Sequence, residues 1–104
     1  MEIKITVHPE IGPRKTYTGN HRVLITTQQT SIVIVIDEQT FEKIVKFGDR
    51  DRSATAIAEK TLNTNSLPVS VRELAELLVK DCRRCAELYA GSPLRGYRRF
   101  TVMS

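Results

Sequence analysis

The chain's pattern predicts an α+β fold: an antiparallel sheet of three to five strands with three helices packed on one face. Three observations carry that expectation. Glu2-Ile3-Lys4-Ile5-Thr6-Val7 alternates polar and apolar, Ile32 to Ile36 is an uninterrupted run of β-branched residues, and three later segments repeat apolar residues at helical spacing. Strand signals precede helix signals rather than alternating with them, which favours a segregated α+β arrangement.

The alternation of residues 2 to 7 predicts a strand with one buried face. His8 to Pro13 holds two prolines and a glycine and reads as an irregular loop, after which Lys15 to Thr18 forms a short strand turning at Gly19-Asn20. A third strand is expected from Arg22 to Thr27. Polar Gln28-Gln29-Thr30 then reverses the chain into Ser31 to Ile36, making a hairpin with a loop of about three or four residues. Because Ile32 to Ile36 lacks polar alternation, this strand is expected at the centre of the sheet, or covered on both sides by helices or a second subunit.

Asp37 is placed to cap a first helix in which Phe41, Ile44, Val45 and Gly48 follow i, i+3, i+4, i+7, with Gly48 able to end it. The turn Asp49-Arg50-Asp51-Arg52 leads to Ser53, a second cap, and Ala54, Ile57, Ala58 and Leu62 line one face of a short helix that Asn63 to Ser66 ends. Leu67-Pro68-Val69 crosses to the best-marked element. There Ser70 and Glu73 form a capping box, and Val71, Leu74, Ala75, Leu78, Cys82, Cys85 and Tyr89 keep helical spacing over about 20 residues, stopping at Gly91 before Pro93. Residues 92 to 104 read as a basic tail or an edge strand.

With 104 residues, 40% hydrophobic and 27% charged, the chain is expected to form one domain, 1 to 104, of ordinary globular composition. Its longest aliphatic run falls far below the ~20 residues of a membrane helix, and Glu2 stands where a secretory signal would be basic. The expectation is therefore a cytoplasmic protein without a membrane partner. Two cysteines are too few for a disulfide framework, which fits a reducing compartment.

Cys82-x-x-Cys85 invites a redox or zinc reading. A redox pair, however, sits at a helix N-terminus, where the dipole lowers the thiol pKa, and here about three helical turns come first. A zinc site would need His8 and His21 from the far end of the chain, in a spacing that matches no familiar pattern. Both thiols fall on the apolar stripe and read as buried structural cysteines. His8 and His21 read as surface histidines, the Asp49 to Arg52 turn as a self-neutralising surface, and the scattered glycines form no phosphate-cradling loop. No catalytic residue, metal ligand or cofactor is assigned, and a non-enzymatic protein is expected.

From Ser31 to Leu62, a strand is followed by Asp37-Glu38-Gln39-Thr40-Phe41-Glu42-Lys43-Ile44 and, after a short polar turn, by Arg52-Ser53 opening a second helix. This outline resembles the ribbon-helix-helix DNA-binding proteins over about 32 residues. Those proteins read bases with polar side chains on the strand, where this chain carries Ile or Val, so no functional residue carries over.

Charge is the remaining signal. Residues 1 to 79 hold ten Lys or Arg and ten Asp or Glu, whereas residues 80 to 104 hold six basic residues against Asp81 and Glu87. The candidate binding residues are Lys80, Arg83, Arg84, Arg95, Tyr97, Arg98, Arg99 and Phe100, because guanidinium forks suit phosphates and planar rings suit bases. They point to a small binding module for nucleic acid or a nucleoprotein complex, provided the tail folds back beside the helix end into one patch. The alternative is a protein-interaction or inhibitor module that meets an acidic protein surface or forms a homodimer through an exposed strand or helix face. Small size and mild basicity are common in bacterial, phage and mobile-element accessory proteins of either kind.

Overall fold

The computed structural model describes residues 2–46, 53–64, 71–89, 94, 96 and 97. It has the expected α+β architecture, in the order β1 (Lys4–Ile11), a 3-10 turn (Pro13–Lys15), β2 (Tyr17–Thr26), β3 (Ser31–Asp37), α1 (Glu38–Lys46), α2 (Ser53–Asn63) and α3 (Val71–Leu88). The strands form one antiparallel sheet in the order β1-β2-β3. Ile5 and Val7 of β1, Val23 and Ile25 of β2, and Ile34 and Ile36 of β3 face the helices, meeting Phe41, Ile44 and Val45 of α1, Leu62 of α2 and Leu74, Leu78 and Cys82 of α3 in one core. The other face of the sheet carries no layer among the described residues.

Three expectations about the strands are corrected. β1 does not stop at Val7 but runs through His8 and Pro9 to Ile11, so residues 8 to 11 are strand rather than loop. Pro9 is tolerated because β1 lies at the sheet's edge and the proline nitrogen points away from β2. Gly19-Asn20 makes no turn either. Tyr17 to Thr26 is one continuous strand, and the register shifts between Pro9–His21 and Ile11–Tyr17, where Gly19 takes a positive φ of 97°. A bulge needs that left-handed geometry as much as a turn does, and glycine supplies it in both.

The third correction concerns β3, which among the described residues is an edge strand and not a central one; the expected alternative of cover by a second subunit is untouched by this. Its isoleucines point inward, with Ile34 and Ile36 buried and Ile32 partly so, while Val33 and Val35 are 47% and 51% exposed. The expected hairpin between β2 and β3 is present, closed by the Thr27 N–H donating to the Thr30 carbonyl at 2.9 Å.

The helices follow the apolar spacing. The Asp37 carboxylate caps α1 by accepting the Thr40 N–H at 2.7 Å, and the Thr40 side chain, together with that N–H, holds the Asp37 pKa below its ordinary value. On α3 the buried residues are Leu74, Ala75, Leu78, Val79, Cys82, Cys85 and Ala86; Val71 and Tyr89 pack at its margins. The Gly48 stop, the Asp49 to Arg52 turn, the Ser70 cap and the Gly91 to Pro93 turn lie outside the described residues. Leu94 and Tyr97 are in no strand and Gly96 is in a turn; the rest of the proposed C-terminal edge strand is outside the described residues. No described helix is long and apolar enough to cross a membrane.

Candidate functional site

A three-stranded sheet has two edges, and the sequence treats them differently. In an antiparallel ladder, successive residues alternately direct both backbone groups toward one neighbour and away from it. Counting from the Thr27–Thr30 closure, the pairs Ile25–Ile32, Val23–Ile34 and His21–Ile36 exchange hydrogen bonds, so Ser31, Val33 and Val35 direct their N–H and C=O groups away from β2. The same count across β2 turns the backbone groups of Ile5, Val7 and Pro9 outward from β1.

The β1 edge is closed at Val7 by α3. The Asp81 carboxylate accepts the Val7 N–H at 2.6 Å, and Arg84 Nη2 donates to the Val7 carbonyl at 3.3 Å. Arg84 also grips Asp81 with two bonds, Nε to Oδ1 at 2.8 Å and Nη2 to Oδ2 at 3.1 Å. The i, i+3 pair thus forms a polar clamp that substitutes for a neighbouring strand at Val7, and the Asp81 bonds raise the Arg84 pKa further. At Pro9 there is no N–H to satisfy.

The β3 edge is open among the described residues. No Lys, Arg, Glu or Pro stands between Ser31 and Ile36, and the residues with outward backbone groups, Val33 and Val35, also carry exposed apolar side chains. Leu24 of β2, opposite Val33, extends that apolar strip across the outer face. Beside the C-terminal end of β3 lies a groove of about 400 Å³ lined by Val35, Ile36, Asp37, Thr40, Lys43, Ile57, Lys60, Thr61 and Thr64.

The sequence-derived binding residues are distributed as follows. Lys80, Arg83 and Arg84 line a groove of about 590 Å³ between α2 and α3 together with Thr55, Val79, Glu76 and Glu87. Lys80 is exposed, Arg83 is partly buried, and Arg84 is engaged by Asp81 and Val7. Tyr97 turns back onto the fold, its hydroxyl 3.0 Å from His21 Nε2 and its ring 4.9 Å from Tyr17 and 6.0 Å from Tyr89. Arg95, Arg98, Arg99 and Phe100 lie outside the described residues.

His21 is not a surface histidine. It is fully buried, stacked on Phe41 at 3.6 Å between ring centroids, with Nδ1 3.3 Å from the Tyr17 hydroxyl. Burial, with a smaller contribution from His8, pushes its pKa down to about 3, so the ring is neutral at ordinary pH. The available sign of its burial was the alternation of His21, Val23 and Ile25 on one face of β2; its partners Phe41 and Tyr97 arrive from distant segments. Cys82 and Cys85 are buried free thiols on α3, as their place on the stripe suggested. Burial raises both pKa values, that of Cys85 to about 11, so each is held as the unreactive thiol.

No family model, no curated protein and no solved structure matches this chain.

Proposed function

We propose that the protein is a binding module whose working surface is the open β3 edge, which accepts an extended strand from a protein partner. The observation that carries this reading is the coincidence, at Val33 and Val35, of outward backbone groups with half-exposed valine side chains on an uncharged edge. Backbone hydrogen bonds to an added strand supply affinity, and the alternate side chains supply register. Sheets ordinarily guard such edges with lysine, proline or a covering helix; among the described residues α3 guards β1 at Val7 and nothing covers the β3 edge.

The reading is tested with an uncharged β-branched heptapeptide as probe. Its addition to dilute protein, in which the chain is monomeric, slows amide exchange at Val33 and Val35 and leaves Val7 unchanged. Unaltered exchange at both valines, with saturating peptide, refutes strand addition at this edge.

Nucleic-acid contact is the second reading, supported by Lys80 and Arg83 on the α2–α3 groove. It ranks lower because Arg84 is committed to Asp81 and the Tyr97 hydroxyl to His21. Under this reading, affinity for an oligonucleotide falls steeply with salt and drops about tenfold or more in a K80A/R83A variant. Binding that ignores both changes rules it out.

A further inference from the structure

Resting on the reading of β3 as the working edge, we propose that its occupant is a second copy of this chain, paired antiparallel about Ile34 by a two-fold axis. The two three-stranded sheets then join into one continuous sheet, with the helices of both copies on the same face.

Three properties of β3 make it complementary to itself. First, the hydrogen-bonding parity matches. With Ile34 on the axis, Val33 lies opposite the partner's Val35 and Val35 opposite the partner's Val33, and all of these residues direct N–H and C=O outward from their own sheets. Each pair therefore exchanges two backbone bonds, as a hydrogen-bonded antiparallel pair requires.

Second, the faces match. The same register sets Ile32 against the partner's Ile36 on the core side, and it joins the exposed valines of the two copies into one strip on the outer side. Neighbouring registers of the same parity are poorer. Centring on Val35 sets Val33 against the partner's Asp37 carboxylate, and centring on Val33 sets Val35 against Ser31 of the partner.

Third, no like charges meet along the pair. Ser31 to Ile36 is uncharged, and Asp37 faces the partner's Ser31. What arrives beside the Lys43 and Lys60 groove of one copy is the neutral Gln28-Gln29-Thr30 turn of the other. A closed two-fold pairing also consumes both open edges, so association stops at the dimer and does not propagate into a fibre. At the β1 edge an added strand would have to displace Asp81 and Arg84 from Val7.

The test is a charge exchange. Light scattering is measured on the wild type, on V33K/V35K, on V33E/V35E and on an equimolar mixture, with circular dichroism melts confirming that each variant unfolds cooperatively. The expected result is a wild-type dimer, at least ~10-fold weaker association of each variant alone, and recovery of the dimer in the mixture, since the register sets each introduced ammonium group against a carboxylate. Variants that dimerise as well as wild type, or a mixture that stays monomeric, overturn the proposal. A wild type that is monomeric at every concentration overturns it too, and the peptide experiment then separates the two claims: valines still protected by peptide leave the strand-accepting edge standing, and unprotected valines remove both.

Discussion

At Val7 the edge of β1 meets a carboxylate and a guanidinium supplied by α3, while at Val33 and Val35 the edge of β3 meets nothing among the described residues. Both strands belong to one sheet and both turn apolar side chains to the same core, so the difference is not one of fold stability. It is one of access. Satisfying Val7 of β1 with an ion pair blocks further strands there, and leaving Ser31 to Ile36 of β3 uncharged keeps a template for them.

The largest expected effect comes from undoing the cover itself. Leu78 is fully buried on α3, and Leu78→Asp places a carboxylate in the core at a cost above ~4 kcal/mol, enough to abolish the cooperative thermal transition. A variant that still melts cooperatively shows that α3 does not cover the sheet as described.

Acid is the next lever. His21 lies on the central strand, opposite Pro9 of β1 and Ile36 of β3, so both edge strands pack beside it. Its folded pKa is about 3 against an ordinary 6.5, and the unfolded chain therefore binds the proton more readily. Stability is full above pH 6.5 and is lost as pH falls toward 3, by roughly 1.4 kcal/mol per unit within that window. Urea melts between pH 6.5 and 4.5 should show this slope in the wild type and lose it in His21→Gln.

A smaller effect isolates the clamp. Asp81→Ala leaves the Val7 N–H without its acceptor and Arg84 without its partner, costing about 1–3 kcal/mol, whereas Asp81→Asn keeps an oxygen for Val7 and costs less. Val7 amide exchange should accelerate in the alanine variant while that of Val33 and Val35 stays as it was. Equal acceleration at both edges means the carboxylate holds the whole sheet rather than one side of it.

Smallest in stability is V33K/V35K, within about 0.5 kcal/mol for the isolated chain, since both side chains already stand half in solvent. Its effect belongs to association alone, and denaturant midpoints measured at low concentration check it.

The helices were legible because their apolar residues recur at a period only a helix satisfies; Phe41, Ile44 and Val45, and Leu74, Leu78 and Cys82, all reached the core. β3 was misplaced for a physical reason. Alternation reveals a strand's two faces only when the outer one is polar, and here isoleucine inside alternates with valine outside, a difference of one methylene. That missing polarity, which suggested a central strand, is also what the proposed strand pairing at this edge requires. Pro9 was the available sign that β1 lies at an edge. Nothing local marked Asp81 as the group that closes it, because Val7 is 74 residues away. His21 was misread because a turn was expected at Gly19-Asn20; in the continuous β2 it shares the buried face of Val23 and Ile25, where folding brings Phe41 and Tyr97 to it.

Residue-resolved amide exchange, measured across a wide range of protein concentration, compares the two edges most directly. Val7 should exchange slowly at every concentration, while Val33 and Val35 exchange rapidly in dilute protein and slow down as the protein is concentrated. Val33 and Val35 amides as slow as Val7 in dilute protein, or as rapid in concentrated protein as in dilute, would contradict an open β3 edge that a second copy fills.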